Sequence, residues 1–241
     1  MKTIAIIQAR MGSTRLPGKV LQDLAGEPML ARVVNRTRRA QTIDETAIAT
    51  TLLAQDDVLA QFSAARGWLC YRGSETDVLD RYYQAARQFG AEVIVRITSD
   101  CPLIDPSVID QVVRAYHASP RVDYASNVLP KRTFPRGLDT EVFGFEVLER
   151  LWHQDQNPAT REHVTQYIYK HLDQFNTRGV TYAEDLSAWR WTVDTVEDLA
   201  LVRKIYAHFG NDEFTWQEVR AVLERHPDWQ AINAHIQQKV I

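Results

Sequence analysis

Two kinds of apolar pattern alternate along this chain. Thr3–Ile7, Thr46–Thr50 and Glu92–Ile97 are short continuous apolar runs rich in β-branched residues. Such runs predict strands buried on both faces, as in a parallel sheet. Between and after them, Asp56–Arg66, Asp77–Phe89 and Pro106–His117 repeat their apolar residues every three or four positions, the period of an amphipathic helix. Strand and helix in alternation predict an α/β fold. Asp105-Pro106 supports the third helix, because a capping carboxylate followed by proline at the first helical position starts a helix at little cost.

From Tyr124 to Phe145 the pattern is irregular and is broken by Pro130, Pro135 and Gly137. Helices are predicted next at Leu148–His153 and Arg161–Leu172, then a strand at Trp189–Val193 returning to the sheet. Val196–Phe209, Trp216–Arg225 and Trp229–Lys239 close the chain as helices. Thr195 with Asp198, and Thr215 with Glu218, have capping-box spacing. No internal repeat or long linker interrupts this order, so the expectation is a single domain over 1–241 with a substrate-facing lobe at about 124–190. Trp152, Trp189, Trp191, Trp216 and Trp229 are expected as anchors of core and lobe rather than as base-stacking platforms.

The loop after the first strand carries the chemistry. Gln8-Ala9-Arg10-Met11-Gly12-Ser13-Thr14-Arg15-Leu16-Pro17-Gly18-Lys19 places three cations, two glycines and two hydroxyls at the carboxyl end of a strand, where open α/β sheets bind ligands. Glycines let backbone amides approach phosphate oxygens, and Arg10, Arg15 and Lys19 supply opposing charge. By itself the loop also reads as an ordinary glycine turn with exposed basic residues. It is not a Walker A motif, because five residues separate Gly12 from Gly18 and Val20 follows the lysine.

Composition narrows the ligand. A net charge of -3 makes the basicity local, which argues for a small anion rather than a nucleic-acid backbone. With 241 residues, 45% of them apolar, the chain can bury one large core. Two cysteines, Cys70 and Cys101, lack disulfide or metal spacing, and no stretch approaches a membrane span in length. With a strand at the N-terminus in place of a charged leader, a soluble cytoplasmic protein is expected.

Three more segments end elements in polar chemistry. Arg96-Ile97-Thr98-Ser99-Asp100-Cys101-Pro102-Leu103-Ile104 runs a strand into Asp-x-Pro. Asp100 there can either bind Mg²⁺ bridging phosphates or cap a turn before Pro102. Trp191-Thr192-Val193-Asp194-Thr195-Val196-Glu197-Asp198-Leu199 repeats the arrangement, with Asp194 open to metal binding or to a helix N-terminal role beside Thr195. In Arg72-Gly73-Ser74-Glu75-Thr76-Asp77, Gly73 and Ser74 can bring backbone against a base edge, or the loop can simply be capped into the helix by Thr76 or Asp77.

The loop is similar, residue for residue, to the signature of the sugar nucleotidyltransferases that make CMP-sugars, the CMP-Kdo and CMP-acylneuraminate synthetases. The chain most resembles their SpsF-like spore coat polysaccharide branch. That resemblance implies a Rossmann-like nucleotidyltransferase (GT-A-like) fold, with a mostly parallel central sheet flanked by helices and a small inserted lobe. It implies that Arg10, Ser13, Arg15 and Lys19, with Ala9 and Gly12, wrap the triphosphate of CTP, Arg10 and Lys19 acting in catalysis. Gly73, Ser74 and Thr98 complete the nucleotide set, and Asp100 and Asp194 become the ligands of a Mg²⁺ cofactor.

Arg136, Asp139 and Glu141 on one segment, and Arg161 and His163 on another, resemble acceptor contacts of the SpsF-like branch. From the residues alone, Glu141 can equally point from a strand to solvent and His163 can satisfy a helix-side hydrogen bond. The implied activity is transfer of CMP from CTP to a sugar or sugar acid with release of pyrophosphate, by a homodimer. Use of another nucleoside triphosphate or a phosphorylated acceptor, a nucleotide-sugar-dependent glycosyltransferase, and a non-catalytic nucleotide-binding module stand as alternatives.

Overall fold

The computed structural model describes residues 1–119 and 121–238. Its strands in chain order are β1 (Thr3–Gln8), β2 (Asp23–Leu24), β3 (Glu27–Pro28), β4 (Glu45–Thr51), β5 (Leu69–Gly73), β6 (Val93–Thr98), β7 (Tyr124–Ser126), β8 (Glu141–Gly144) and β9 (Thr177–Gly179). The helices are α1 (Met29–Thr37), α2 (Asp57–Ala65), α3 (Val78–Phe89), α4 (Pro106–His117), α5 (Phe145–Gln154), α6 (Pro158–Arg161), α7 (Gln166–Lys170), α8 (Val196–Phe209), α9 (Trp216–Arg225) and α10 (Pro227–Gln230).

Seven strands form one sheet in the order β5-β4-β1-β6-β8-β7-β9. All its pairings are parallel except those of β8, which runs against both β6 and β7. The apolar residues of β1 explain its central place. Ile4, Ala5, Ile6 and Ile7 are fully buried, Ile4 and Ile6 in the core on the α3 face and Ala5 and Ile7 in the core on the other. Residues 124–190 supply β7, β8 and β9 to the same sheet, and their helix α5 packs against α3. Among the described residues no helix is long and apolar enough to cross a membrane.

Local sequence rules explain the helix starts. The Asp105 side chain accepts from the Ser107 amide ahead of α4, and complete capping boxes open α8 at Thr195 and α9 at Thr215. Trp191 and Trp216 are buried core residues, and Trp152 stacks on Tyr83 at 4.5 Å between ring centroids.

Three expected elements take other forms. Trp189–Val193 is not a sheet strand; it makes a single parallel bridge, Arg190 to Arg136, and hangs on a loop. The Trp191 amide donates to the Arg136 carbonyl at 2.7 Å, and Gly137 lies so close that a Cβ there would meet the Trp191 carbonyl carbon at 2.7 Å. Arg190 to Asp194 are all buried, so this burial comes from packing on a loop and not from the two faces of a sheet strand. The helix expected at Arg161–Leu172 is broken between α6 and α7, where buried Val164 adopts φ 60°, a conformation unfavourable for a β-branched residue. The last helix is the single turn α10, and Asn233 beyond it is buried as a hydrogen-bond donor rather than continuing a helix; Lys239 lies outside the described residues. Helix α1 and strand β5 were not anticipated, since Arg32 and Arg36 interrupt the apolar face of α1 and Tyr71 and Arg72 that of β5.

Candidate active site

The loop after β1 is held from beneath. Buried Asp56 accepts a hydrogen bond from the Met11 amide at 2.6 Å, and the Met11 carbonyl accepts from the amides of Ser13 at 2.9 Å and Gly18 at 3.0 Å. Gly18 turns the chain at φ 69°, where an L side chain would be strained, and so delivers Lys19 inward. Lys19 is thus not an exposed loop cation; it is 8% exposed. Its ammonium donates to Asp100 Oδ2 at 3.1 Å, Asp194 Oδ1 at 2.8 Å and the Val193 carbonyl at 2.7 Å.

Two carboxylates separated by 94 positions meet there because the backbone ties their segments together. The Asp100 carbonyl accepts from the Val193 amide at 2.8 Å and from the Thr192 hydroxyl at 3.2 Å, which hangs the second segment on the end of β6. Asp194 also pairs with Arg15 at 3.0 Å and with Arg190 at 2.8 Å. Arg190 is itself fixed by Asp198 through contacts of 2.9 Å, and Asn233 braces both by donating to the Arg190 carbonyl and to Asp198. Burial opposes the charge on Lys19, but Asp100 and Asp194 more than reverse it and hold the ammonium pKa above the ordinary lysine value. For Asp100 burial likewise favours the neutral acid, and Lys19 with the Thr98 hydroxyl overcomes it, so its pKa lies below the ordinary aspartate value.

A cleft of about 620 Å³ opens above this cluster. The loop forms one wall, with Ala9, Arg10, Gly12, Ser13, Arg15 and Lys19; Thr98, Asp100 and Asp194 border it; and His163, Gln166 and Lys170 face it from α7 and the turn before it. Arg10, half-exposed like Arg15, lies 3.6 Å from Glu75 and 3.9 Å from Glu162. This volume is ample for a small ligand, and the convergent cations suit a polyanion.

The remaining expected residues lie elsewhere. Gly73 and Ser74 are not on the cleft wall: Gly73 leaves room for the stem of Arg81, whose Cγ a Cβ would meet at 3.2 Å, and the Ser74 hydroxyl accepts from the Asp77 amide at the start of α3. Of the five acceptor candidates only His163 lines the cleft. Glu141 points neither to solvent nor to the cleft. It is buried, takes a 2.5 Å ion pair from Arg96 and accepts from the hydroxyls of Tyr124 and Thr165. Arg161 is consumed by Asp77 and the carbonyls of Trp152 and Asp155, Asp139 is paired with Arg132, and Arg136 carries the backbone bridge to Arg190. A charged residue on an irregular segment looks the same in sequence whether it greets a ligand or closes an internal pair.

Arg81, Gln166 and Lys170 line the cleft without having been singled out. For Arg81 a signal existed. It lies three residues after Val78 on α3, so helical geometry puts it on the face that buries Val78, and an arginine on a buried face needs a reason.

A basic loop leaving the central strand, with one carboxylate just past the end of β6 and another on the loop before α8 converging on its lysine, defines a phosphate-handling enzyme of the α/β class. Residues 4–215 match the cytidylyltransferase family model, and the chain belongs to that family. It is 33% identical to the spore coat polysaccharide biosynthesis protein SpsF of Bacillus subtilis over 92% of this chain and 94% of that one. A cytidylyltransferase structure from Leptospira borgpetersenii superposes with a TM-score of 0.91 over the whole of both chains at 31% identity. A CMP-Kdo synthetase solved with CTP superposes with a TM-score of 0.69 over 86% of this chain and 99% of that one, at 21% identity, a likeness of fold.

Proposed function

We propose that this cytidylyltransferase transfers CMP from CTP to a hydroxyl of a sugar or sugar acid, releasing pyrophosphate, as a step in surface polysaccharide biosynthesis. The observation that carries the reading is the convergence of Arg10, Arg15 and Lys19 on one cleft with Asp100 and Asp194 at its edge. The acceptor oxygen bonds to the α-phosphorus, the bond to the bridging oxygen of pyrophosphate breaks, and the acceptor proton leaves to solvent. Arg10 and Lys19 stabilise the charge that grows on the leaving group. The polysaccharide context rests on the name of the Bacillus relative, and CTP on the family and on the ligand of the CMP-Kdo synthetase.

Asp100 and Asp194 present hard oxygen donors to one point, the donor chemistry that Mg²⁺ takes when one or two carboxylates combine with substrate phosphates. When bound, Mg²⁺ would neutralise phosphate oxygens beside these two residues. Thr98 belongs with the nucleotide and His163 with the acceptor in the same reading, and the enzyme works as a homodimer of single-domain chains.

A pyrophosphate-release screen tests the activity, crossing the four nucleoside triphosphates with sugar acids, amino sugars and sugar phosphates. CTP with one acceptor class is the expected positive. Equal release from UTP, or none from CTP with any acceptor, overturns the reading. Within that screen Kdo is expected to be a poor acceptor, because Val78 stands after Asp77 where the Kdo-type pattern places arginine, and the acceptor segments are not the Kdo pattern. A polar pocket built for one arrangement of hydroxyls leaves buried partners unpaired with another, which can cost several orders of magnitude in rate. Release with Kdo at about 1 per second or faster would assign the protein to CMP-Kdo synthesis instead.

A further inference from the structure

Buried cations in this fold follow a rule with one exception among the described residues. Lys19 pairs with Asp100 and Asp194, Arg32 with Asp212, Arg36 with Asp105, and Arg190 with Asp194 and Asp198. Arg81 is 1% exposed and pairs with no carboxylate. Its Nη1 donates to the Ser74 carbonyl at 2.7 Å, while its buried Nε has no hydrogen-bond partner. A buried charge without a paired carboxylate is expensive: burial and the like charge of Arg10 lower the guanidinium pKa, and Asp56 and Glu75, beyond pairing distance, do not make up the difference. The side chain lines the cleft, so a group entering the cleft can supply the missing acceptors.

The geometry points to the pyrimidine ring of the nucleotide as that group, and we infer that Arg81 is the residue that selects cytosine over uracil; the inference rests on the cytidylyltransferase reading. With Nη1 occupied, the guanidinium offers its Nε and Nη2 hydrogens, two parallel donors in a rigid fork. Cytosine presents two adjacent acceptors, O2 and N3, which match that fork. Uracil presents O2 beside an N3–H donor, which would face an arginine N–H and leave both unpaired. Val78, one helical turn before Arg81, lines the cleft with an apolar surface that suits a ring face and offers a phosphate nothing. The phosphate donors are grouped on the loop instead. Gly73 and the Ser74 carbonyl are positioning elements, one making room for the arginine stem and the other orienting its head.

The test is calorimetric binding of CTP, UTP and inorganic tripolyphosphate to the wild type, Arg81→Met and Arg81→Lys. The wild type is expected to prefer CTP. Both variants should lose about 10- to 100-fold in CTP affinity, the range of one bidentate base contact. UTP and tripolyphosphate should bind them as before, so the CTP/UTP ratio falls toward one. The lysine variant separates the sources of the acceptor, because a phosphate contact survives a single ammonium and a base fork does not. A CTP/UTP ratio preserved in Arg81→Met overturns the inference, and equal losses for all three ligands put Arg81 on the phosphates and overturn it too. Wild-type protein that binds no nucleotide overturns the cytidylyltransferase reading itself, and Arg81's role with it. Ligand-free Arg81→Met should melt at or above the wild-type temperature, since an unpaired buried charge is replaced by an apolar chain. A clear drop in Tm would show that the guanidinium is already compensated in the free protein and would remove the premise.

Discussion

Replacing Lys19 with alanine should lower pyrophosphate release from CTP about 100- to 1,000-fold, the loss seen when one preorganised donor to a developing anion is removed. CTP affinity should fall as well, because the same ammonium is the innermost cation of the loop. The variant should also be less stable. Lys19 is the cation that Asp100 pairs with, and its removal leaves a mostly buried carboxylate facing Asp194 without it. Asp194 keeps Arg15 and Arg190, and Asp100 retains some solvent, so the cost should be about 1–3 kcal/mol rather than the ~3–5 of a fully buried pair.

That destabilisation carries a pH signature. In the wild type the Asp100 pKa is depressed, so its contribution to stability is present above the unfolded aspartate pKa of about 3.9 and is lost as pH falls through the lower folded value. In Lys19→Ala the burial of Asp100 acts without that counter-charge and the contribution disappears. The stability gap between the two proteins, read by urea unfolding, should therefore be widest near neutral pH and narrow as pH falls toward 4 and below. A variant with wild-type CTP affinity and turnover would remove this loop as the triphosphate site. A gap that stayed constant with pH would remove the coupling between Lys19 and Asp100.

Asp100→Asn and Asp194→Asn should each reduce turnover on the order of 1,000-fold at fixed Mg²⁺, if two hard oxygen donors contribute several kcal/mol through the metal they hold. The distinguishing measurement is the Mg²⁺ titration. Both variants should need higher Mg²⁺ for half-maximal pyrophosphate release, and a chelator should silence the wild type until Mg²⁺ is restored. An unchanged Mg²⁺ midpoint in both would separate these residues from the metal and leave them as partners of Lys19 alone. The two variants should differ in stability. Asp194 compensates three cations, Lys19, Arg15 and Arg190, whereas Asp100 compensates one, so Asp194→Asn should unfold at lower urea.

Much of the fold was legible because its signals are local. The buried runs of β1, β4 and β6, the capped starts of α4, α8 and α9, and the basic loop between Gln8 and Lys19 depend on neighbours within a few positions. Each survives being read without partners. The failures share a different cause. A short run of large and β-branched residues at Trp189–Val193 reads as a strand whether the segment joins a sheet or leans on Arg136 and Gly137. The break at Val164 goes with its burial in the core on the α3 face, and Glu141, Arg161 and Asp139 were drawn into ion pairs by Arg96, Asp77 and Arg132, partners set in space.

The sequence by itself determined the α/β order, the chemistry of the loop and the presence of aspartates at the ends of two segments, since residue type and short-range spacing are sufficient for these. Tertiary structure alone decided that Asp100 and Asp194 share one ammonium, because the contact depends on the hydrogen bonds that the Val193 amide and the Thr192 hydroxyl donate to the Asp100 carbonyl, 93 and 92 positions away. It also decided that Lys19 is buried and that Arg81 is left without a carboxylate. Burial and pairing are properties of what surrounds a side chain, and on a chain this long most of those surroundings come from elsewhere in the sequence.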